Sequence, residues 1–239
     1  MLKFLGVVFF FITTVAFSQE HKIEIQINSA PNKKVNLTYY YLGNIYVKDT
    51  VVLDEKGYGV FKGDTLLPQG LYKLYLDDKN HFDFLLGADQ TFSIKNEHFS
   101  TENLEISGAV ETIEFAKYVD FLKNLQEQSA ALKNAYQQAS SETEKEKIQN
   151  KMAELTPQLH NYWKTIKEKY PNTFLSVFLM TNLVPTLDVS TLPEEIQNND
   201  SLLLIERFNY QKEHYWDNFD YTDERLLYTP LYKPKLEDW

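Results

Sequence analysis

The side chains best suited to acid–base or metal chemistry are scattered along this chain. Its five histidines stand at positions 21, 81, 98, 160 and 214. A helical zinc site needs two imidazoles one turn apart, at i and i+4, and no pair here has that spacing. They read as surface or hydrogen-bonded structural histidines, with His21 in a frayed terminus. The densest oxygen-rich run is Asp77-Asp78-Lys79-Asn80-His81-Phe82-Asp83. An EF-hand calcium loop places glycine sixth, for the sharp turn, and glutamate twelfth, to close the shell. Phe82 and Ala88 occupy those places, so the run reads as a hairpin turn. Asp217, Asp220 and Asp223 form a second cluster, read as a loop followed by a helix cap. Glu194-Glu195 falls on an expected solvent face, as solubilising charge. Cysteine is absent, which removes thiol catalysis, thiolate metal sites and disulfides together. Nucleophile elbows, P-loops and dinucleotide-binding glycine patterns are absent too, and only 8 glycines exist to build them. The residues predict no catalytic constellation, no metal site and no cofactor.

Aromatic residues are the surplus, with 16 Tyr, 16 Phe and 3 Trp. Tyrosine suits interfaces because an apolar ring carries a polar tip. In Tyr39-Tyr40-Tyr41 the middle ring must lie on the face opposite its neighbours, and Tyr46 is close by in sequence. Either that face is a binding patch or a helical layer covers it. Tyr215, Trp216 and Trp239 are further candidates, for contact with a segment outside this sequence. The candidate interface set is therefore Tyr40, Tyr46, Tyr215, Trp216 and Trp239.

Two kinds of periodicity would position these residues. From 22 to 107 the chain alternates with period two, as in Ile23, Ile25 and Ile27, then Val35, Leu37, Tyr39 and Tyr41, then Tyr72, Leu74 and Leu76. Phe82, Phe84 and Leu86 continue it, followed by Phe92 with Ile94 and Leu104 with Ile106. Such alternation marks strands with one face buried. Glycine, proline and aspartate turns between the runs predict about eight antiparallel strands in a small β-sandwich. Asp49 breaks the alternation of residues 45–53, which predicts a bulge or a strand crossing between sheets.

Beyond Gly108 the period becomes helical. Phe115, Tyr118, Leu122, Leu125, Ser129, Leu132, Tyr136 and Ala139 step by threes and fours, as do Ile148, Met152, Leu155, Leu159, Tyr162 and Ile166. Ser141 with Glu144 makes a capping box between the two halves. The pattern predicts two long helices, 112–139 and 141–170, folded back on each other. Phe174 to Leu183 is apolar nearly all round, which predicts a buried helix plugging the space between this hairpin and the sandwich. Short helices are expected near 193, from 200 to 214, and from 222 onward. The ending among Leu231, Tyr232 and Leu236 suggests a chain that continues or an end that docks.

The first residues, Met1-Leu2-Lys3 and an apolar run from Phe4 to Phe17, fit a secretory signal peptide cleaved after Ser18. The net charge of −10, more negative still once Lys3 leaves, gives nothing to hold phosphate backbones or anionic membrane surfaces. The fold class expected is α+β, an N-terminal antiparallel β-sandwich followed by a helical domain built on a long antiparallel helix hairpin. Its parts are a signal peptide at 1–18, the sandwich at 19–109 and the helical domain at 110–239, incomplete at its C-terminus. The expected location is the periplasm or outer envelope of a Gram-negative bacterium, without membrane insertion after cleavage and without nucleic acid as partner.

Several motifs carry a resemblance. Asp49-Thr50-Val51, Gly57, Phe61, Gly63, Pro68, Gly70, Leu71 and Tyr72 resemble the amino-terminal β domain of exported bacterial proteins in which a thioredoxin-like (redoxin) domain follows. His214-Tyr215-Trp216-Asp217-Asn218-Phe219-Asp220, Glu224-Arg225-Leu226-Leu227 and Thr229-Pro230 are similar to the middle region of the same proteins. The resemblance implies envelope location and an accessory role: positioning a redoxin domain, or a protein client of it. The redoxin centre is a Cys-x-x-Cys pair, and no residue here inherits that activity. A free-standing exported glycan- or peptide-binding protein is the alternative.

Overall fold

The structure is a computed structural model that describes residues 20–238; the leader expected at 1–18 and the candidate Trp239 lie outside the described residues. Eight strands come first: β1 (His21–Ile27), β2 (Lys34–Tyr41), β3 (Asn44–Val52), β4 (Tyr58–Gly63), β5 (Gly70–Asp77), β6 (Asn80–Leu86), β7 (Thr91–Asn96) and β8 (Glu105–Ser107). They form two four-stranded sheets, ordered β4-β1-β7-β8 and β3-β2-β5-β6. The alternating apolar positions of both sheets enter one core, with Ile23, Ile25, Leu37, Phe61, Leu74, Phe84 and Ile94 all buried. Each such side chain contributes about 1.5–3 kcal/mol by leaving water.

The antiparallel expectation fails at one pair. β1 and β7 run parallel, with Ile23 opposite Phe92 and Ile25 opposite Ile94. A short turn forces antiparallel neighbours, but these two strands are separated by the whole second sheet, and a connection that long permits either direction. β4 was not marked by any alternating run, because two of its six residues are glycine. Gly59 lies close under the core, where a Cβ would stand 2.8 Å from Leu53 Cδ2 and force that side chain to shift. His21 is not frayed: it opens β1, is buried, and its Nδ1 lies 2.7 Å from the Thr65 carbonyl. The irregularity expected at Asp49 is a slip of register between β2 and β3, where Leu37 faces Asp49 and Thr38 faces Val47.

Helix α1 (Val110–Gln138) is followed by α2 (Glu142–Ala153), α3 (Leu155–Lys169) and α4 (Phe174–Met180). Ser141 caps α2, its hydroxyl accepting from the Glu144 amide at 3.3 Å, while the Glu144 carboxylate accepts from the Ser140 amide. The single helix expected over 141–170 is two, broken at Glu154. Pro157 is the cause: it has no N–H to donate, and its ring crowds the carbonyl four residues back, at Ala153. α2 and α3 run back along α1, with Gln149 Nε2 donating to Tyr136 Oη at 3.2 Å and the rings of Phe121 and Tyr162 stacked at 4.4 Å. Every residue of the three-and-four stripe lies on the inner side, buried or half-buried, including Leu122 and Leu155.

A second core joins this layer to the outer face of the β3-β2-β5-β6 sheet. Leu71 and Leu85 from the sheet pack with Phe115 and Tyr118 of α1, Trp163 and Ile166 of α3, and most of α4. The chain then forms α5 (Glu194–Gln197), α6 (Asp200–Glu213), a 3-10 turn at Glu224–Tyr228 and α7 (Tyr232–Glu237). The helix expected from 222 is thus a five-residue turn, ended by Thr229-Pro230. The last segment docks: Leu42 N donates to the Leu227 carbonyl at 2.8 Å, and Tyr215 Oη donates to the Lys235 carbonyl at 2.7 Å. Among the described residues no helix is long and apolar enough to cross a membrane.

Candidate functional site

The second core is fastened by two carboxylates near the start of α1. Glu111 is buried and accepts from two main-chain amides of other elements, Ala88 at 3.1 Å and Leu175 at 2.9 Å. One bond reaches the turn between β6 and β7, the other the first turn of α4. Its neighbour Thr112 donates to the Leu85 carbonyl at 2.8 Å. Gly87 has to be glycine, because a Cβ would collide with the Glu111 carboxylate. One turn on, Glu114 accepts from Lys117 Nζ at 2.9 Å and Tyr170 Oη at 3.1 Å. Burial pushes its carboxyl up, but the hydrogen bonds from Lys117 and Tyr170 and the charges of Lys117 and Lys169 outweigh that and leave it below the usual range.

Beside this fastening lies a cleft of about 450 Å³ between the α3–α4 corner and the 216–225 loop. Val177, Met180, Trp216 and Phe219 supply its apolar wall; Lys167, Asn172 and Arg225 stand among the polar groups that line it. The loop is held by its own polar side chains. Asn218 Nδ2 donates to the Leu183 carbonyl at 3.1 Å, and Phe219 is buried. His214 Nδ1 lies 2.7 Å from Asp217 Oδ2. Asp220 accepts from the Thr222 hydroxyl and amide, which hold its carboxyl below the usual range. Asp223 caps the 3-10 turn and takes the Arg225 fork, Nε at 2.8 Å and Nη2 at 2.6 Å. That hydrogen bond keeps the guanidinium above its ordinary pKa against partial burial, helped by the charges of Asp223 and Glu111. The three aspartates are the loop and cap that their spacing suggested. Among the described residues no group of three or more His, Asp or Glu is placed to hold a metal ion.

The interface candidates do not form one patch. Tyr40 faces the helices, half-buried against the second core, and donates to Asp83 Oδ2 at 3.3 Å. Burial first, then the Asp83 charge and hydrogen bond, push its phenol up to about 12. Lys73 Nζ sits 3.3 Å from the other Asp83 oxygen, an ion pair without hydrogen-bond alignment. Tyr46 pairs across from Tyr39, the two rings tilted at 33° with centroids 5.8 Å apart, on the opposite sheet face from Tyr40. The helical layer covers the Tyr40 face. Tyr215 and Trp216 meet edge to face at 4.8 Å, far along the chain at the end of α6, and Trp216 reaches the cleft. The Asp77 run is a hairpin turn, with Asp77 accepting from the amides of Lys79 and Asn80.

Glu111 and Glu114 are not among the sequence candidates, although the sequence carries a signal for them. They lie four residues before Phe115 and Tyr118 and so continue the buried stripe with charge, which a buried face accepts only when the charge is paired. Neither family models, nor curated proteins, nor solved structures give a match to this chain.

Proposed function

We propose that this chain is a non-catalytic, exported binding module of the kind that accompanies a thioredoxin-like domain, and that it holds a protein partner in the cleft beside Trp216. In this reading the two sheets are the sandwich, α1 with α2 and α3 is the hairpin propped against it, and the cleft lies at the hairpin's base. The observation that carries the reading is the construction of the 216–225 wall. Most of the residues that build it are among those that resemble the redoxin-associated proteins, and its carboxylates are engaged by Thr222, Arg225 and His214 rather than left to act on a substrate. A hydrogen-bonded wall with apolar side chains and a charged rim suits recognition more than turnover.

The test is calorimetric titration of the full chain with an exported thioredoxin-like domain. Saturable binding that weakens at least tenfold in Lys167→Glu, about 1.4 kcal/mol, supports the reading. Reduction of insulin disulfides by this chain alone, or binding indifferent to Lys167→Glu and Trp216→Ala, overturns it. The alternative, a glycan- or peptide-binding protein, rests on the Trp216 indole standing beside Asp217 and Asn218 in the same cleft. Quenching of tryptophan fluorescence by an oligosaccharide panel, lost in Trp216→Ala, would favour that alternative.

A further inference from the structure

Helix α6 has fourteen residues and buries none of them. Its half-buried side chains, Leu203, Glu206, Tyr210 and His214 just past its end, fall on one side. The opposite side carries Leu204 at 70 %, Phe208 at 63 % and Ile205 at 53 % exposure. Helices this short are marginal in water by themselves and draw most of their stability from packing an apolar face. An exposed apolar stripe of this size marks a contact surface.

We propose that the stripe is covered by α6 of a second copy of this chain, packed antiparallel about a two-fold axis. Asp200, Leu204, Phe208 and Lys212 follow at intervals of four and so stand on one face, reading acid, apolar, apolar, base. A two-fold axis opposite Glu206 sets Leu204 against Phe208 of the second copy and Asp200 against its Lys212, twice over. A self-complementary patch of this kind is what an isologous dimer requires. Antiparallel alignment also brings the positive end of one helix dipole beside the negative end of the other. The net charge of −10 works against association, but over a Debye length of about 8 Å it is largely screened at physiological salt. One short helix pair buries less than the roughly 1,200 Å² of a stable interface, so the dimer is weak and concentration-dependent.

Sedimentation of the full chain from about 1 µM to about 300 µM, a range suited to such an affinity, tests this independently of the cleft. Wild type should pass from monomer to dimer. Asp200→Lys alone and Lys212→Asp alone should each remain monomeric, because each sets like charges opposite each other twice. An equimolar mixture of the two variants should dimerise at least tenfold more tightly than either alone. A wild-type monomer throughout the range, or a dimer indifferent to both reversals, overturns the proposal. Far-UV circular dichroism checks that the variants fold. If a reversal unfolds the chain, Leu204→Ser decides the question, since it must lower association tenfold or more while the fold persists.

Discussion

Helices α4 and α6 are both written in leucine and phenylalanine, yet the molecule treats them oppositely. In Phe174–Met180 all but one residue is buried; in Asp200–Glu213 none is. Composition separates them in part, since α4 carries no charged residue and α6 carries five in fourteen. What leaves the leucines and phenylalanine of α6 bare is attachment. α4 begins under the Thr173 cap, receives the Glu111 carboxylate at the Leu175 amide, and lies between α1, α3 and the sheet. α6 has a good cap, Asn199 accepting from Ser201 and Leu202, but among the described residues its main packing is against the short α5. An apolar run therefore predicts burial only where another element is delivered to cover it, and where none is delivered it predicts a partner.

The largest effects should come from α4. Leu179 is fully buried, and Leu179→Ala should cost about 2–5 kcal/mol, transfer and cavity terms together. Urea denaturation followed by circular dichroism measures it. A loss no larger than about 0.5 kcal/mol, the size of an ordinary surface change, would erase the distinction between the two helices.

Next comes the fastening. Glu111→Ala leaves the amides of Ala88 and Leu175 without their acceptor and should cost about 1–3 kcal/mol. Native-state hydrogen exchange should then show faster exchange at Ala88 and Leu175 before any change in the β1–β7 pairing. If both regions loosen together, the carboxylate is not what joins the helical layer to the sheet.

A smaller effect should appear in acid. The carboxyl of Glu114 lies below its ordinary value when folded, so the unfolded chain binds more protons as the pH enters the glutamate range. The stability it contributes is complete above that range and disappears as the pH falls through the folded value. Glu114→Gln should therefore be less stable than wild type at neutral pH and converge with it on acidification. Parallel stability curves across that window would show that the Lys117 and Tyr170 contacts contribute nothing that depends on charge.

The helix stripe was the most legible part of the chain, because a contact along a seam is written as a local spacing. Each named position from Phe115 to Ala139 and from Ile148 to Ile166 lies on the inner side. Pro157 leaves no mark on that spacing, because a missing N–H breaks the backbone and not the stripe. The parallel β1–β7 pair was illegible for the opposite reason: nothing near Ile23 specifies Phe92 as its partner. At the cleft, the aspartate spacing gave the caps, but the approach of the 216–225 loop to Val177 and Met180 depends on the long-range packing of α4. The limits of α6 were readable from 200 to 214; its bareness was not, because a sequence marks an apolar face without naming its cover.

The smallest effect should be Leu204→Ala, and it sharpens the comparison most. In dilute solution the side chain is mostly exposed, so its removal should change stability by no more than about 0.5 kcal/mol. At high concentration the second copy binds only the folded chain and stabilises it by mass action, so the wild-type melting temperature should rise with concentration. Leu204→Ala should flatten that dependence while leaving the dilute value in place. A melting temperature that is the same at both concentrations for both proteins would leave α6 bare in fact as well as in appearance. A loss already present in dilute solution would mean that Leu204 packs within its own chain, and the contrast with α4 would reduce to one of degree.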